Sequence, residues 1–299
     1  MRICLRLLIA ALLATALNAC TQEPADKVLR VGYMNCNSEE ETRARFTPLT
    51  RYLEQQLGVR LEAVPVDTQD FEERYAAGEF DITHTNSLLY LVLHEDHDLE
   101  LVATEKRGNF GPRTAGTIIV RKDSGIETLA DLKWKRMIFG PQLAPSGFLA
   151  QYSLMLENDF DPEKDLSYYA FPSGSFKHEK VIYGVYFGAY DAAAAPALDL
   201  ELMTREGKVV ADDFRVLGQS RIFPYCTFGV SERVDPELRA KLHKALVELD
   251  TEATVQIGNE EIGVLKSAWI DGFETLTDGD YDTLREMARR ANMPPYQEF

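Results

Sequence analysis

Cysteine is scarce in this chain, with four residues among 299, and Cys4 and Cys20 fall in the first twenty positions. Only Cys36 and Cys226 remain beyond that segment, so the body of the protein has at most one internal disulfide to draw on. Positive charge is also short: 32 Lys and Arg stand against 48 Asp and Glu, a formal net charge of −16. That balance argues against a nucleic-acid partner and against polybasic contact with a membrane. Past the N-terminus there is no second long apolar run, no internal repeat and no low-complexity tract. The signatures of catalysis are missing too. There is no Gly-x-Ser-x-Gly elbow, no phosphate-binding loop and no dinucleotide fingerprint. His94-Glu95-Asp96-His97 does not have the four-residue His spacing of zinc proteases. The chain reads as a binding protein, not an enzyme, and nothing in it asks for a cofactor.

What is present begins with an export signal. Arg2 and Arg6 precede an apolar run over residues 7–17, too short to span a bilayer comfortably. Leu17-Asn18-Ala19-Cys20 resembles a bacterial lipobox, which implies cleavage before Cys20 and a lipid on its thiol. Residues 1–19 are then the signal and 20–27 a polar tether. Cleavage takes the net charge from −16 to −18 by removing Arg2 and Arg6 and no acid. The expected location is the periplasmic or extracytoplasmic face of a bacterial membrane, held by the lipid, with the folded part a monomer.

From residue 28 onward strand and helix patterns alternate. Strands are expected at 28–33, 59–65, 80–83 and 99–103, separated by single helices, and this predicts a mostly parallel sheet. Ser38 and Glu41 have capping-box spacing ahead of a helix that buries Phe46, Leu49, Leu53 and Leu57 on one face, and Gly58 stops it. A Gly- and Pro-marked stretch at 108–116 opens a second series, with strands at 117–120, 136–139, 166–171, 191–195 and 214–217. Helices are expected at 147–157 and 177–187, and the tail is helical from Asp235-Pro236. Two series with helical material left over predict two α/β lobes between which the chain crosses twice. The outer lobe takes 28–112 and 226–299, and the inner lobe takes 113–225. Open α/β sheets bind ligands beyond the carboxyl ends of their strands, and here those ends face one cleft.

Several stretches together resemble the phosphonate, phosphite and phosphate-type binding proteins of ABC transporters. They are Leu29-Arg30-Val31-Gly32, Pro48-Leu49-Thr50-Arg51-Tyr52-Leu53, Ala77-Gly78-Glu79-Phe80-Asp81-Ile82, Val120-Arg121-Lys122-Asp123-Ser124-Gly125-Ile126 and His178-Glu179. The resemblance implies the type II periplasmic binding protein fold: two Rossmann-like lobes, a two-stranded hinge and a ligand cleft between them. It implies a small polar solute or oxyanion as ligand and an ABC permease as partner; a histidine kinase that reads the closed clamp is the alternative partner. The departures are specific. Where the family has a Ser/Thr run before Gly to cradle an oxyanion, this chain has Leu143-Ala144-Pro145-Ser146-Gly147. One hydroxyl survives, and Pro145 has no N–H to offer.

The candidate ligand-binding residues are Cys36, His84, Thr85, Asn86, Ser146, Gly147, His178, Tyr225 and Cys226. Ser146, Gly147 and the amide after it are the expected anion donors of the inner lobe. His84 and Thr85 are their counterparts on the outer lobe, His178 adds a proton-sensitive contact, and Tyr225 walls the cleft. Cys36, His84, His178 and Cys226 together would also suit copper, zinc or a thiophilic oxyanion such as arsenite. A disulfide between Cys36 and Cys226, or two inert buried thiols, are equally consistent with the sequence.

Overall fold

The computed structural model describes residues 28–298 except 176. The proposed signal, Cys20 and tether lie outside the described residues. The outer lobe starts with β1 (Val28–Met34), the 19-residue helix α1 (Glu39–Leu57) and β2 (Arg60–Val66). It continues through α2 (Phe71–Ala76), β3 (Ile82–Thr85), α3 (Ser87–His97) and β4 (Glu100–Lys106). The expected caps form on α1. Ser38 Oγ accepts from the Glu41 amide at 3.1 Å, and Gly58 ends the helix at φ 67°, a conformation glycine adopts without a Cβ clash. The reciprocal half of the capping box is replaced: the Glu41 carboxylate takes the Asn37 amide instead.

Short β5 (Arg113–Thr114) leads out to the inner lobe: β6 (Gly116–Arg121), β7 (Arg136–Ile138), α4 (Ala150–Glu157) and α5 (Pro162–Asp165). It is completed by β8 (Tyr168–Ala170), α6 (Lys177–Tyr186), β9 (Ala192–Pro196), α7 (Ala197–Arg205) and β10 (Phe214–Gln219). The chain returns through β11 (Phe223–Pro224), which pairs antiparallel with β5 to make the two-stranded hinge. β12 (Thr227–Val230), α8 (Pro236–Val247), the hairpin β13 (Thr254–Ile257) and β14 (Glu260–Gly263), α9 (Val264–Ala268), β15 (Gly272–Glu274) and α10 (Asp282–Arg290) follow.

The outer sheet has strand order β15-β4-β12-β3-β1-β2 and the inner sheet β10-β6-β9-β7-β8. Neither is mostly parallel, as the strand–helix alternation had predicted. β12 runs antiparallel to both its neighbours, β15 to β4, and β6 to both β9 and β10. The cause is the double crossover: a strand that comes back from the other lobe enters its sheet from the opposite end. Each sheet buries its own apolar residues, Val31, Leu49, Leu53 and Phe228 in one and Ile118, Met137, Phe139 and Ala194 in the other. A further apolar cluster joins the lobes, packing Leu149 and Ala150 with Met34, Tyr90, Tyr281 and Met287. α10 belongs in sequence to the outer lobe yet reaches the inner one, where Arg290 donates to Ser153 Oγ at 3.0 Å. Among the described residues no helix is long and apolar enough to cross a membrane.

Candidate ligand cleft

A cavity of about 1130 Å³ lies between the lobes, walled by residues of both sheets and of the hinge. Cys36, His84, Asn86, Ser146, His178, Tyr225 and Cys226 line it, seven of the nine residues expected there. Thr85 and Gly147 do not. Strand side chains alternate, so when His84 points one way from β3, Thr85 points the other and is wholly buried.

Gly147 sits behind His178. An added Cβ there would lie 2.7 Å from His178 Cε1, so the ring rests directly on the glycine. The inner-lobe donors also differ from expectation. Residues Pro145–Leu149 form a π-helical turn ahead of α4, where a helix starting at residue 147 was expected. Within it the Gly147 and Phe148 amides both donate to the Ala144 carbonyl, at 3.2 and 3.0 Å. Gln151 Nε2 donates to the Ser146 carbonyl at 2.7 Å and pins the turn from below. Proline at 145 removes one amide, and the turn consumes those of Gly147 and Phe148. Those N–H groups are not an oxyanion cradle.

His84 lines the cavity but belongs to the core beneath it. Its Nε2 pairs with Glu105 Oε2 at 3.0 Å, both side chains are nearly fully buried, and the ring packs against Phe46 and Phe228. Asn86 ties the lobes together. Its Oδ1 caps α3 through the Leu89 amide, and its Nδ2 donates to the Leu143 carbonyl of the inner lobe at 3.0 Å. Ser175 Oγ makes a second bridge, to the Asn37 carbonyl at 3.2 Å.

Cys36 and Cys226 are free thiols. Cys36 lies in the bend after β1 and Cys226 in the bend before β12, and the two thiols are close enough to act on each other electrostatically. Of the alternatives left open by the sequence, the structure shows two unlinked thiols and not a disulfide. Cys36 shows surface to the cleft, but the cleft is itself enclosed. That burial pushes its thiol up, against the opposing pull of Arg45. Cys226 is pushed well up for the same reason, with Glu105 adding to it. Neutral thiols and a committed His84 account for a further correction: among the described residues no three His, Cys, Asp or Glu side chains converge as a metal site.

Positive charge lines the cleft from both lobes: Arg45, Arg107 and Lys266 from the outer, Lys177, Arg205 and Lys208 from the inner. Arg107 ends the outer lobe's first pass, just before the hinge. Its Nη1 donates to Tyr225 Oη at 3.3 Å, and among the described residues no carboxylate forms an ion pair with it. The Tyr225 phenol favours its charged form, and Glu105 beyond favours it further. Arg45 projects from α1, donates to the Ala268 carbonyl at 2.8 Å and lies over the Trp269 ring at 4.4 Å. A further set of polar groups lies unpaired in the walls of the same space. Ser87 Oγ, Thr114 Oγ1, Asn35 Oδ1 and His178 Nδ1 are buried without a hydrogen-bond partner, and all four residues line the cavity. Buried polar groups are rarely left unmade, because each such group costs about 1–3 kcal/mol. Burial holds the His178 imidazole below its ordinary pKa, with Asp199 opposing, so its ring is neutral near pH 7.

A family model described as "ABC transporter, phosphonate, periplasmic substrate-binding protein" matches residues 31–281. Among solved structures, PhnD1 from Prochlorococcus marinus in complex with methylphosphonate aligns over 89% of this chain and 99% of its own, with TM-score 0.73 and 18% identity. XAC2383 from Xanthomonas citri bound to ATP aligns over 89% and 97%, with TM-score 0.70 and 19% identity. The tetrathionate sensor histidine kinase TtrS of Salmonella typhimurium is 25% identical over 245 residues, 76% of this chain. The match takes in 40% of the kinase, so this chain spans less than half the length of that relative.

Proposed function

The chain belongs to the family of periplasmic substrate-binding proteins of phosphonate ABC transporters, and from that premise we propose that it captures a small oxyanion and presents it to a membrane permease. The observation that carries this reading is the unpaired polar wall. Arg107 lines one cavity shared by both lobes together with Ser87, Thr114, Asn35 and His178, each of which carries a buried polar atom without a partner. A bound oxyanion supplies acceptors for the guanidinium and the two hydroxyls, and neutral His178 donates from whichever ring nitrogen carries its proton. Contacts made to both lobes at once favour the closed clamp, which is the form a permease can recognise. The role is capture rather than catalysis.

The shape of the site changes the ligand expected within that class. Relatives with a hydroxyl-rich turn hold a phosphonate by that turn, and here the turn is closed on itself. Simple alkylphosphonates are therefore expected to bind weakly. Native mass spectrometry of the purified protein, followed by calorimetry with sulfate, phosphate and methylphosphonate, tests the reading. Retention or micromolar binding of an anion supports it; a protein that retains none and binds none sinks it.

The kinase relative supports a second reading, in which the closed clamp is read by a sensor kinase. Pull-down from membranes separates the two, since a permease and a kinase differ in mass and sequence. In either case Cys20 is the proposed lipid anchor. Cys20→Ser is expected to move the protein from the membrane to the soluble extracytoplasmic fraction, and unchanged fractionation contradicts the anchor.

A further inference from the structure

We propose that Cys36 and Cys226 make this cleft selective for oxyanions that carry a terminal or bridging sulfane sulfur, such as thiosulfate, over sulfate and phosphonates. The inference rests on the anion-capture reading and names the ligand class within it.

Both thiols line the same cavity as Arg45 and Arg107. They are unlinked. Each lies in the field of both arginines, which draw on them in the sense that favours negative charge nearby. Burial outweighs that pull and leaves both sulfurs as neutral S–H groups. A neutral thiol does not repel an anion, and it is a weak donor, so it adds little for a hard phosphonate oxygen. It is polarizable, and its best neighbour is another large, polarizable atom. The cavity thus offers two kinds of wall. Arg107 suits oxygen, and Ser87 and Thr114 line the same cavity with buried, unpartnered hydroxyls behind it. Cys36 and Cys226 suit sulfur. An anion with an SO₃ head and a sulfane sulfur matches both at once, whereas sulfate leaves the thiols facing oxygen. No covalent step is involved, and the thiols are expected to be intact after the ligand leaves.

Thiosulfate and sulfate differ by one sulfur for one oxygen, so they form the test pair. Calorimetry on the wild-type protein is expected to give thiosulfate about tenfold or more tighter than sulfate, the scale on which a pocket distinguishes one group. Cys36→Ser and Cys226→Ser are each expected to narrow that ratio to within about threefold while leaving sulfate affinity in place. Equal wild-type affinities for the two anions overturn the inference and leave anion capture standing. No binding of thiosulfate, sulfate or methylphosphonate overturns anion capture itself. The wild-type ratio decides even if a serine variant fails to fold. Alkylation after dialysis should recover both thiols; a mass adduct that survives dialysis contradicts non-covalent selection.

Discussion

On the inner-lobe wall of the cleft, the turn at Pro145–Leu149 spends its amides on the Ala144 carbonyl and is pinned by Gln151. On the facing wall, at the hinge and the outer lobe, Arg107 leans on a single phenol while Ser87 and Thr114 keep hydroxyls without partners. The turn is finished without a ligand, whereas Arg107, Ser87, Thr114 and, on the inner lobe, His178 Nδ1 are not. The difference teaches where binding energy can come from: a group already hydrogen-bonded in the free protein must give up one contact to make another. An unpaired group gains its full worth. The inner-lobe turn therefore supplies shape, with the His178 ring laid on Gly147, while Arg107 at the hinge supplies a charge that no carboxylate pairs among the described residues.

The strongest way to break this division is to remove the charge. Arg45→Ala together with Arg107→Ala deletes two charge-assisted interactions of about 1.5–3 kcal/mol each, so sulfate or thiosulfate affinity should fall on the order of a hundredfold or more. Calorimetry showing less than a tenfold loss would return the charge to the inner wall.

Gly147→Ala sharpens the other half. With a Cβ 2.7 Å from His178 Cε1, the ring must leave its place, and anions should bind roughly tenfold more weakly without preference among them. A loss confined to one anion would show that His178 selects rather than shapes.

Asn86→Ala removes both a cap and a bridge between the walls. The cap is worth about 0.5–2 kcal/mol, which should lower the melting temperature by a few degrees. Small-angle scattering should also show a larger radius of gyration for the ligand-free variant, because the Leu143 contact is gone. An unchanged radius would mean that Asn86 does not hold the lobes.

The smallest effect is on pH. Burial lowers the folded pKa of His178, so the unfolded chain binds more protons than the native one as pH drops through the ordinary histidine value of about 6.5. Stability contributed by the neutral ring is present above that value and is lost as pH falls toward the folded pKa. Urea midpoints at pH 7 and pH 5 should converge more closely in His178→Gln than in the wild type. An identical pH dependence would show that the ring is not held neutral.

Much of this architecture is legible in the chain. The Ser38 cap, the Gly58 stop and the Asp235-Pro236 helix start are local, and local hydrogen bonding fixes them. The antiparallel return strand β12 is not, because its pairing with β3 and β4 depends on segments far away in sequence. The same division runs through the site. Cys36, His178, Tyr225 and Cys226 stand out as unusual residue types near strand ends or crossovers, and they do line the cavity. Arg45 and Arg107 look like any other of the 32 cations, and only the fold shows that one is stacked on Trp269 and the other left beside Tyr225. Thr85 misleads for a simpler reason: strand alternation is plain in the sequence, but the face that meets the cleft is not.

The most direct test of the division between the walls pairs one residue from each. Calorimetry with sulfate on Arg107→Ala and Ser146→Ala, side by side with the wild type, reads the two walls separately. Arg107→Ala should weaken binding about tenfold or more, the worth of one hydrogen bond to a charged group, while Ser146→Ala should change it by less than about threefold. The reverse order, with Ser146→Ala the more damaging, would contradict the account and place the anion on the inner-lobe turn.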